Sequence, residues 1–400
     1  LIIMTPEQKF LISINYLKIF IIIIYISGEA MKRLILLLLI LLSTFFIIPK
    51  TSKASESLAA NSKAAILIEA ESGDILFSKN MDEKRGIASM TKIMTISLVY
   101  DALKNHEIEY DTILTCSSHA KSMGGTQVYL EEGEKHTVSD LIKCVMLASA
   151  NDAAVCLAEG VAGSEALFVD KMNEKAEELK MLNTHYSDAT GLSDTNHFSS
   201  AYDMALISRY LVNNYPEVLA ITTLHDAYFR EDTDNPFWLV NTNKLAGKNG
   251  IDGLKTGHTA YSAYCITLTK QVDDMRLISV AMGYENPIIR NQEAAELLSY
   301  GFSFYKKISF LDKDDIVKKY DTILYENNLI TICPTKSFVK TILKSEADKY
   351  EIRYEFSSKT EGKAILYYDG KVIDTVDLVV KESKKKNLFK LFLEILGSIF

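Results

Sequence analysis

Ser89-Met90-Thr91-Lys92 sets a hydroxyl and an amine three positions apart. On a helix these positions share a face, so the amine can reach the hydroxyl. A serine alcohol is a weak nucleophile until a base takes its proton. A lysine can be that base only where burial or a neighbouring cation lowers its pKa. Alone the spacing says little, because S-x-x-K recurs at Ser118–Lys121, Ser303–Lys306, Ser337–Lys340 and Ser383–Lys386. Ser89 differs in its company. Ser149-Ala150-Asn151 lies between two helical runs, and Lys255-Thr256-Gly257 precedes a strand-like run.

In this order the three motifs resemble the active-site set of penicillin-binding proteins and serine β-lactamases. The resemblance implies that Ser89 attacks a carbonyl and that Ser149 passes a proton to the leaving amine. Asn151 would hydrogen-bond the substrate amide. Lys255 would meet a substrate carboxylate and depress the pKa of Lys92, and Gly257 would let substrate backbone approach the strand edge. Longer stretches narrow the family: AAILIEAESGDILFSKNMDEKRGIASMTKIMT, GGTQVYLEEGE (124–134), ASANDAA (148–154), HFSSAYDMALI (197–207) and NTNKLAGKNGIDGLKTGHT (241–259). Over roughly residues 63–305 the chain resembles D-alanyl-D-alanine carboxypeptidases, the low-molecular-mass penicillin-binding proteins.

That family implies a peptidoglycan stem peptide ending in D-Ala-D-Ala as substrate. Ser89 attacks the penultimate carbonyl, D-alanine leaves, and water hydrolyses the acyl-enzyme. The backbone N–H groups of Ser89 and His258 would form the oxyanion hole. Lys255, Thr256 and Thr259 would hold the terminal carboxylate, with Arg290 adding charge. β-Lactams would acylate Ser89 and clear slowly. No cofactor or metal is expected; none of the seven histidines falls in an H-E-x-x-H pattern. Humbler readings stand beside these: Lys255 as a turn lysine, Ser149 and Asn151 as a helix cap, Arg290 in a surface salt bridge. His197 reads as structural, and Asp188 with Gly191-Leu192 is assigned no chemistry. Two departures from the family pattern are Ser262-Ala263 for Ala-Gly and Asp188-Ala189 for a proline-containing pair. A class A β-lactamase would need Glu in E-x-x-L-N, but Leu179 precedes Leu182-Asn183, with Glu178 one residue off. The same motifs would also serve a D-Ala endopeptidase, or persist in a non-catalytic wall-binding scaffold.

These side chains need elements to position them. Runs 64–69 and 74–78 around Ser72-Gly73 predict a hairpin. A helix is predicted from about Ser89 to Leu103, and Leu141, Val145 and Ala148 have helical spacing within a helix-rich stretch, 138–230. Strand-like runs at 263–269 and 275–282 precede a helix from about Ile288 to Tyr305. Residues 55–308 therefore read as an α/β (α+β) catalytic domain with an antiparallel sheet and a helical subdomain. That agrees with the penicillin-binding-protein/β-lactamase-like transpeptidase fold implied by the resemblance. Runs 316–325, 329–333, 337–343, 349–355, 363–368 and 371–379 predict a small all-β domain over 309–380.

The chain has 400 residues, 48% hydrophobic, with net charge −8, which sets nucleic-acid binding aside. Residues 1–54 hold six basic and two acidic side chains, so the remainder is more acidic still. Lys32-Arg33 followed by the apolar run 34–48 and Ser52-Lys53-Ala54 reads as a signal peptide over 31–54, or as an anchor that is never cut. Residues 1–30 read as an over-extension upstream of Met31. Five scattered cysteines, an odd number, predict buried free thiols. At the other end, 381–400, Lys384-Lys385-Lys386 precede NLFKLFLEILGSIF. Lys390, Glu394 and Ser398 form one polar stripe on an otherwise apolar helix, which reads as an interfacial anchor on anionic membrane. The location expected is the outer face of the cytoplasmic membrane.

Overall fold

The computed structural model describes residues 58–192, 195–381 and 384–397. The leader segments expected at 1–30 and 31–54 lie outside the described residues. The central sheet has five antiparallel strands: β1 (Ala64–Glu69), β2 (Ile75–Lys79), β3 (Ile251–Thr259), β4 (Ala263–Val272) and β5 (Met275–Tyr284), in the order β2-β1-β5-β4-β3. All six residues of β1 are buried. Its alternation explains why: Ile66 and Ile68 face one core, Ala65 and Leu67 the other. The first core is closed by α1 (Lys92–Lys104), α2 (Asn151–Ala162), α3 (Glu165–Glu178) and α4 (Ala201–Asn214). The second is closed by α5 (Pro287–Phe304), through Ala294, Leu297 and Leu298. Asn286 caps α5 by accepting from the backbone of Ile288 and Ile289, and Pro287 starts it, where a missing N–H costs nothing.

Three details depart from the sequence reading. The helix expected from Ser89 opens with a 3₁₀ turn, Ala88–Thr91, and α1 proper begins at Lys92. The Lys255-Thr256-Gly257 segment does not precede a strand; it lies inside β3, an outer strand of the sheet. The stretch expected to finish α5 and lead into the β-rich part is itself a strand, β6 (Tyr305–Leu311).

The β-rich part continues with β7 (Lys318–Asp321), β8 (Leu329–Pro334), β9 (Phe338–Leu343), β10 (Tyr350–Phe356), β11 (Glu361–Tyr368) and β12 (Lys371–Val380). Five of these form an antiparallel sheet, β7-β8-β12-β11-β10, while β6 pairs with β9. Their own small core contains Ile332, Phe338, Leu366 and Leu378. Thr341 N–H donates to Asp74 at 2.8 Å, and Tyr305 O–H donates to the Leu76 carbonyl at 3.0 Å, so this part is tied to the β1–β2 hairpin. The last helix, α6, spans Leu388–Gly397. All five cysteines are buried free thiols.

Leu277 of β5 is fully buried between the sheet and α5. Leu277→Ala should cost about 2–5 kcal/mol by urea unfolding. A loss under about 1 kcal/mol would show that this second face is not a packed core.

Candidate active site

Ser89 sits in the 3₁₀ turn and Lys92 is the first residue of α1, so the i, i+3 relation is kept across a change of helix type. Lys92 is fully buried. Its Nζ lies 3.1 Å from Ser89 Oγ, 2.6 Å from Asn151 Oδ1 and 2.8 Å from the Thr190 carbonyl. Two of these partners can only accept. A neutral amine has two N–H donors and one lone pair; with both donors used, the lone pair is left for the Ser89 O–H. Burial lowers the Lys92 pKa to about 7, against the opposing pull of Asp188 and Asp152. Desolvation is the main cause of the lowering at Lys92. Lys255 is pushed well below the usual range by burial first, then by the nearby Lys92 and Arg290.

Ser149 closes a π-helical turn, Cys144–Ala148, in the left-handed conformation (φ +64°), which costs a non-glycine residue roughly 1–2 kcal/mol. Its Oγ is buried and has no hydrogen-bond partner among the described residues. Such an orphan hydroxyl is costly in a finished core and useful where a substrate will meet it. The helix-cap reading does not hold, because Ala150 occupies the N-cap of α2 and no side chain caps it. Asn151 makes two contacts within the protein. Its Oδ1 accepts from Lys92 and its Nδ2 donates to the Gly124 carbonyl at 2.7 Å, so it orients the amine.

On β3, Lys255 is fully buried with its Nζ 3.2 Å from the Thr256 carbonyl. The Thr256 hydroxyl donates to Thr242 at 2.9 Å. Gly257 has a packing role within the protein: a Cβ there would overlap the Ile87 carbonyl and press on Ala88 and Met90. Its bare backbone lets β3 lie against the turn carrying Ser89. His258 is exposed and stacks on Tyr264 at 3.9 Å. Thr259 is engaged with Ser262, hydroxyl to hydroxyl at 3.0 Å. Ala263 has φ +55°, the conformation that a glycine would take without cost. Arg290, on α5, is 5% exposed and is no surface salt bridge. Its guanidinium donates to the Cys265 carbonyl at 3.2 Å and to Asn291, and burial lowers its pKa to about 10.

The loop that was assigned no chemistry belongs to the site. Asp188 Oδ1 accepts from the N–H groups of Thr190 and Gly191, both at 2.6 Å, aiming the Thr190 carbonyl at Lys92. Ala189 N–H donates to Glu165 at 2.9 Å, a bond that a proline at this position could not make. Gly191 has φ +86°, and a Cβ on it would overlap the Ala88 carbonyl. His197 is buried; its Nδ1 accepts from Ser187 and its Nε2 lies 2.7 Å from Thr91 Oγ1, which donates to Ala88. Asp152 accepts from Val128 and Leu130, fixing the loop that supplies Gly124. Asp152 and Gly124 stand inside the stretches that carry the resemblance and Asp188 in the loop that departs from it, but their roles run through backbone contacts that no spacing encodes. Glu178 is exposed and pairs with Lys175 at 2.7 Å, away from Ser89. Among the described residues no group of three or more His, Cys, Asp or Glu is arranged to hold a metal ion.

A sheet flanked by helices on both faces, with a hydroxyl set against a buried amine, defines the penicillin-binding-protein class of serine acyltransferases. The family model described as D-alanyl-D-alanine carboxypeptidase matches residues 50–286. The chain belongs to that family, and it is a serine-type carboxypeptidase. It is 37% identical over 354 residues to D-alanyl-D-alanine carboxypeptidase DacF of Bacillus subtilis, covering 86% of this chain and 90% of that protein. Penicillin-binding protein 5 of Haemophilus influenzae superposes with TM-score 0.73 at 29% identity, over 81% of this chain and 97% of its own. Penicillin-binding protein D2 of Listeria monocytogenes, solved in an ampicillin-bound form, gives TM-score 0.55 at 31% identity, over 60% of this chain and 97% of its own.

Gly257→Ala tests how the two walls meet. Fluorescent-penicillin labelling should slow at least about tenfold as β3 is pushed from the Ser89 turn, with far-UV circular dichroism unchanged. A normal labelling rate would show that the contact does not control the site.

Proposed function

We propose that this carboxypeptidase removes the terminal D-alanine from cell-wall stem peptides ending in D-Ala-D-Ala, by way of an ester on Ser89. The reading is carried by one observation: the Lys92 amine has both donors committed to carbonyl oxygens and its remaining position directed at Ser89. Neutral Lys92 takes the Ser89 proton as Oγ attacks the penultimate carbonyl. The backbone N–H groups of Ser89 and His258 receive the oxyanion. Ser149 relays a proton to the leaving amine, and D-alanine departs. Water, activated by the same amine, then cleaves the ester. Lys255 and Arg290, with Thr256 and Thr259, receive the terminal carboxylate. Both groups are buried with carbonyl or amide oxygens as their partners, and a bound carboxylate would favour their charged forms, which supports an anionic ligand. Asn151 acts chiefly on Lys92. A β-lactam presents the same carboxylate and carbonyl, so it is expected to acylate Ser89 and clear slowly.

The protein works outside the cytoplasm, exported by the segment 31–54, with α6 resting in the outer surface of the cytoplasmic membrane. Among the described residues no helix is long and apolar enough to cross a membrane. What supports an interfacial role is the exposure of Leu388, Phe389, Phe392 and Leu393. The basic cluster is smaller than the sequence implied, since the Lys386 side chain is buried against Glu394 and only Lys384 and Lys385 face solvent.

Ser89→Ala should abolish both covalent penicillin labelling and D-alanine release while leaving the fold intact. Labelling that persists, located by mass spectrometry elsewhere, would overturn the nucleophile assignment. The acylation rate of free enzyme should rise with pH through about 7 and then level, because only the deprotonated amine can accept the Ser89 proton. A profile flat from pH 5 to 9 would remove Lys92 as the base.

A further inference from the structure

The turn at 322–328, between β7 and β8, carries an apolar pair with no place in the core. Ile323 and Leu324 are each 52% exposed, while Tyr325 beside them is buried. The turn is joined to the start of the tail at successive points. Lys386 N–H donates to the Leu324 carbonyl at 2.9 Å, Glu326 N–H donates to the Lys384 carbonyl at 3.0 Å, and Tyr325 and Lys385 form an antiparallel bridge. Lys386 then acts as a clasp. Its side chain is wholly buried, its Nζ donates to Asn328 Oδ1 at 2.5 Å, and it pairs with Glu394 in the middle of α6. The clasp engages the polar stripe of α6. On a helical wheel that stripe, Lys390 and Glu394, lies opposite the arc of Leu388, Phe389, Phe392, Leu393 and Leu396, so the apolar arc is turned away from the clasp.

We infer that the 322–328 turn and α6 form one composite lipid-binding surface, in which Ile323 and Leu324 enter the interface of an anionic bilayer beside the helix. This rests on the membrane reading of α6 and goes beyond it: the folded β-rich part itself contacts lipid. Two observations select a bilayer as the occupant. The apolar pair is continuous, through the Leu324–Lys386 backbone bond, with the helix whose apolar arc is exposed. Exposed Lys384 and Lys385 flank the join in an otherwise acidic protein, and the one acid on the turn, Glu326, is already near Lys384 at 3.9 Å. A short helix alone tethers without setting an angle. A helix clasped to a turn that also enters the interface fixes how the protein stands on the surface.

The test is flotation of the purified protein, tail intact, with phosphatidylcholine vesicles with and without phosphatidylglycerol. Ile323→Ser with Leu324→Ser should lower partitioning onto the anionic vesicles about tenfold, from the loss of two inserted aliphatic side chains. The stoichiometry of penicillin labelling should not change, which reports an intact fold. Partitioning equal to wild type, while removal of 388–400 releases the protein, would overturn the composite surface and keep the helix reading. Vesicle binding that survives removal of 388–400 would overturn the helix reading and the composite with it. A concentration-dependent dimer lost in the double variant, with vesicle binding unchanged, would assign the pair to a second copy of the chain and overturn the proposal.

Discussion

A lysine amine held wholly out of water is the constraint from which the rest of the catalytic architecture follows. Burying an ammonium is so costly that the group gives up its proton near neutrality, and it then needs its donors satisfied. The acceptors that do so, Asn151 Oδ1 and the Thr190 carbonyl, come from segments 59 and 98 residues away. The helical core on one face of the sheet brings them to the start of α1. Around them lies a ring of supporting bonds: Asp188 shapes the 188–191 loop, Asp152 holds the 124–130 loop, and His197 braces the turn of Ser89 through Thr91. A pre-organised amine of this kind needs no reorganisation when the serine proton is transferred.

The opposite wall shows how much local unfavourable structure the site contains. Ser149 is left-handed, Ala263 is left-handed in a position suited to glycine, and among the described residues the Ser149 hydroxyl has no hydrogen-bond partner and Lys255 and Arg290 are buried without a carboxylate in contact. Each is destabilising in isolation, and several of them meet at this cleft, although left-handed residues also occur in turns elsewhere in the molecule. Strained backbone and desolvated charge persist where packing on all sides over-determines them. Here that packing is supplied by two cores, one on each face of the sheet. The two glycines that allow close approach, Gly191 and Gly257, both abut the segment Ile87–Met90, so the nucleophile's turn is gripped from two directions.

The β-rich part is held together differently. Its core is small, and it is tied to the catalytic part through β6, Asp74 and the Leu76 carbonyl. At its far end buried Lys386, paired with the exposed Glu394 and bonded to Asn328, joins α6 to the 322–328 turn. One of three adjacent lysines has thus become structural, which composition could not reveal. A lysine run reads as solvated charge until a carboxylate eight residues on is folded back over it.

Much of this was legible in the chain. The hairpin of β1 and β2, the pair β4 and β5, α5 and nearly every strand of the β-rich part follow from periodicity-two and helical patterns, because such patterns record which faces must be apolar. The candidate site residues were legible too, through the resemblance of S-x-x-K, S-A-N and K-T-G in this order to a known motif set; the S-x-x-K spacing alone recurs at four other places. Tertiary structure alone decided how they are used. That Asn151 touches Lys92, that Gly257 makes room for the serine turn, that Thr190 contributes a carbonyl, and that burial is the main influence on the Lys92 amine all depend on packing, backbone atoms and exclusion of water. Every residue carries the same backbone groups, and desolvation is a property of the packed interior, so neither leaves a mark in residue type or spacing.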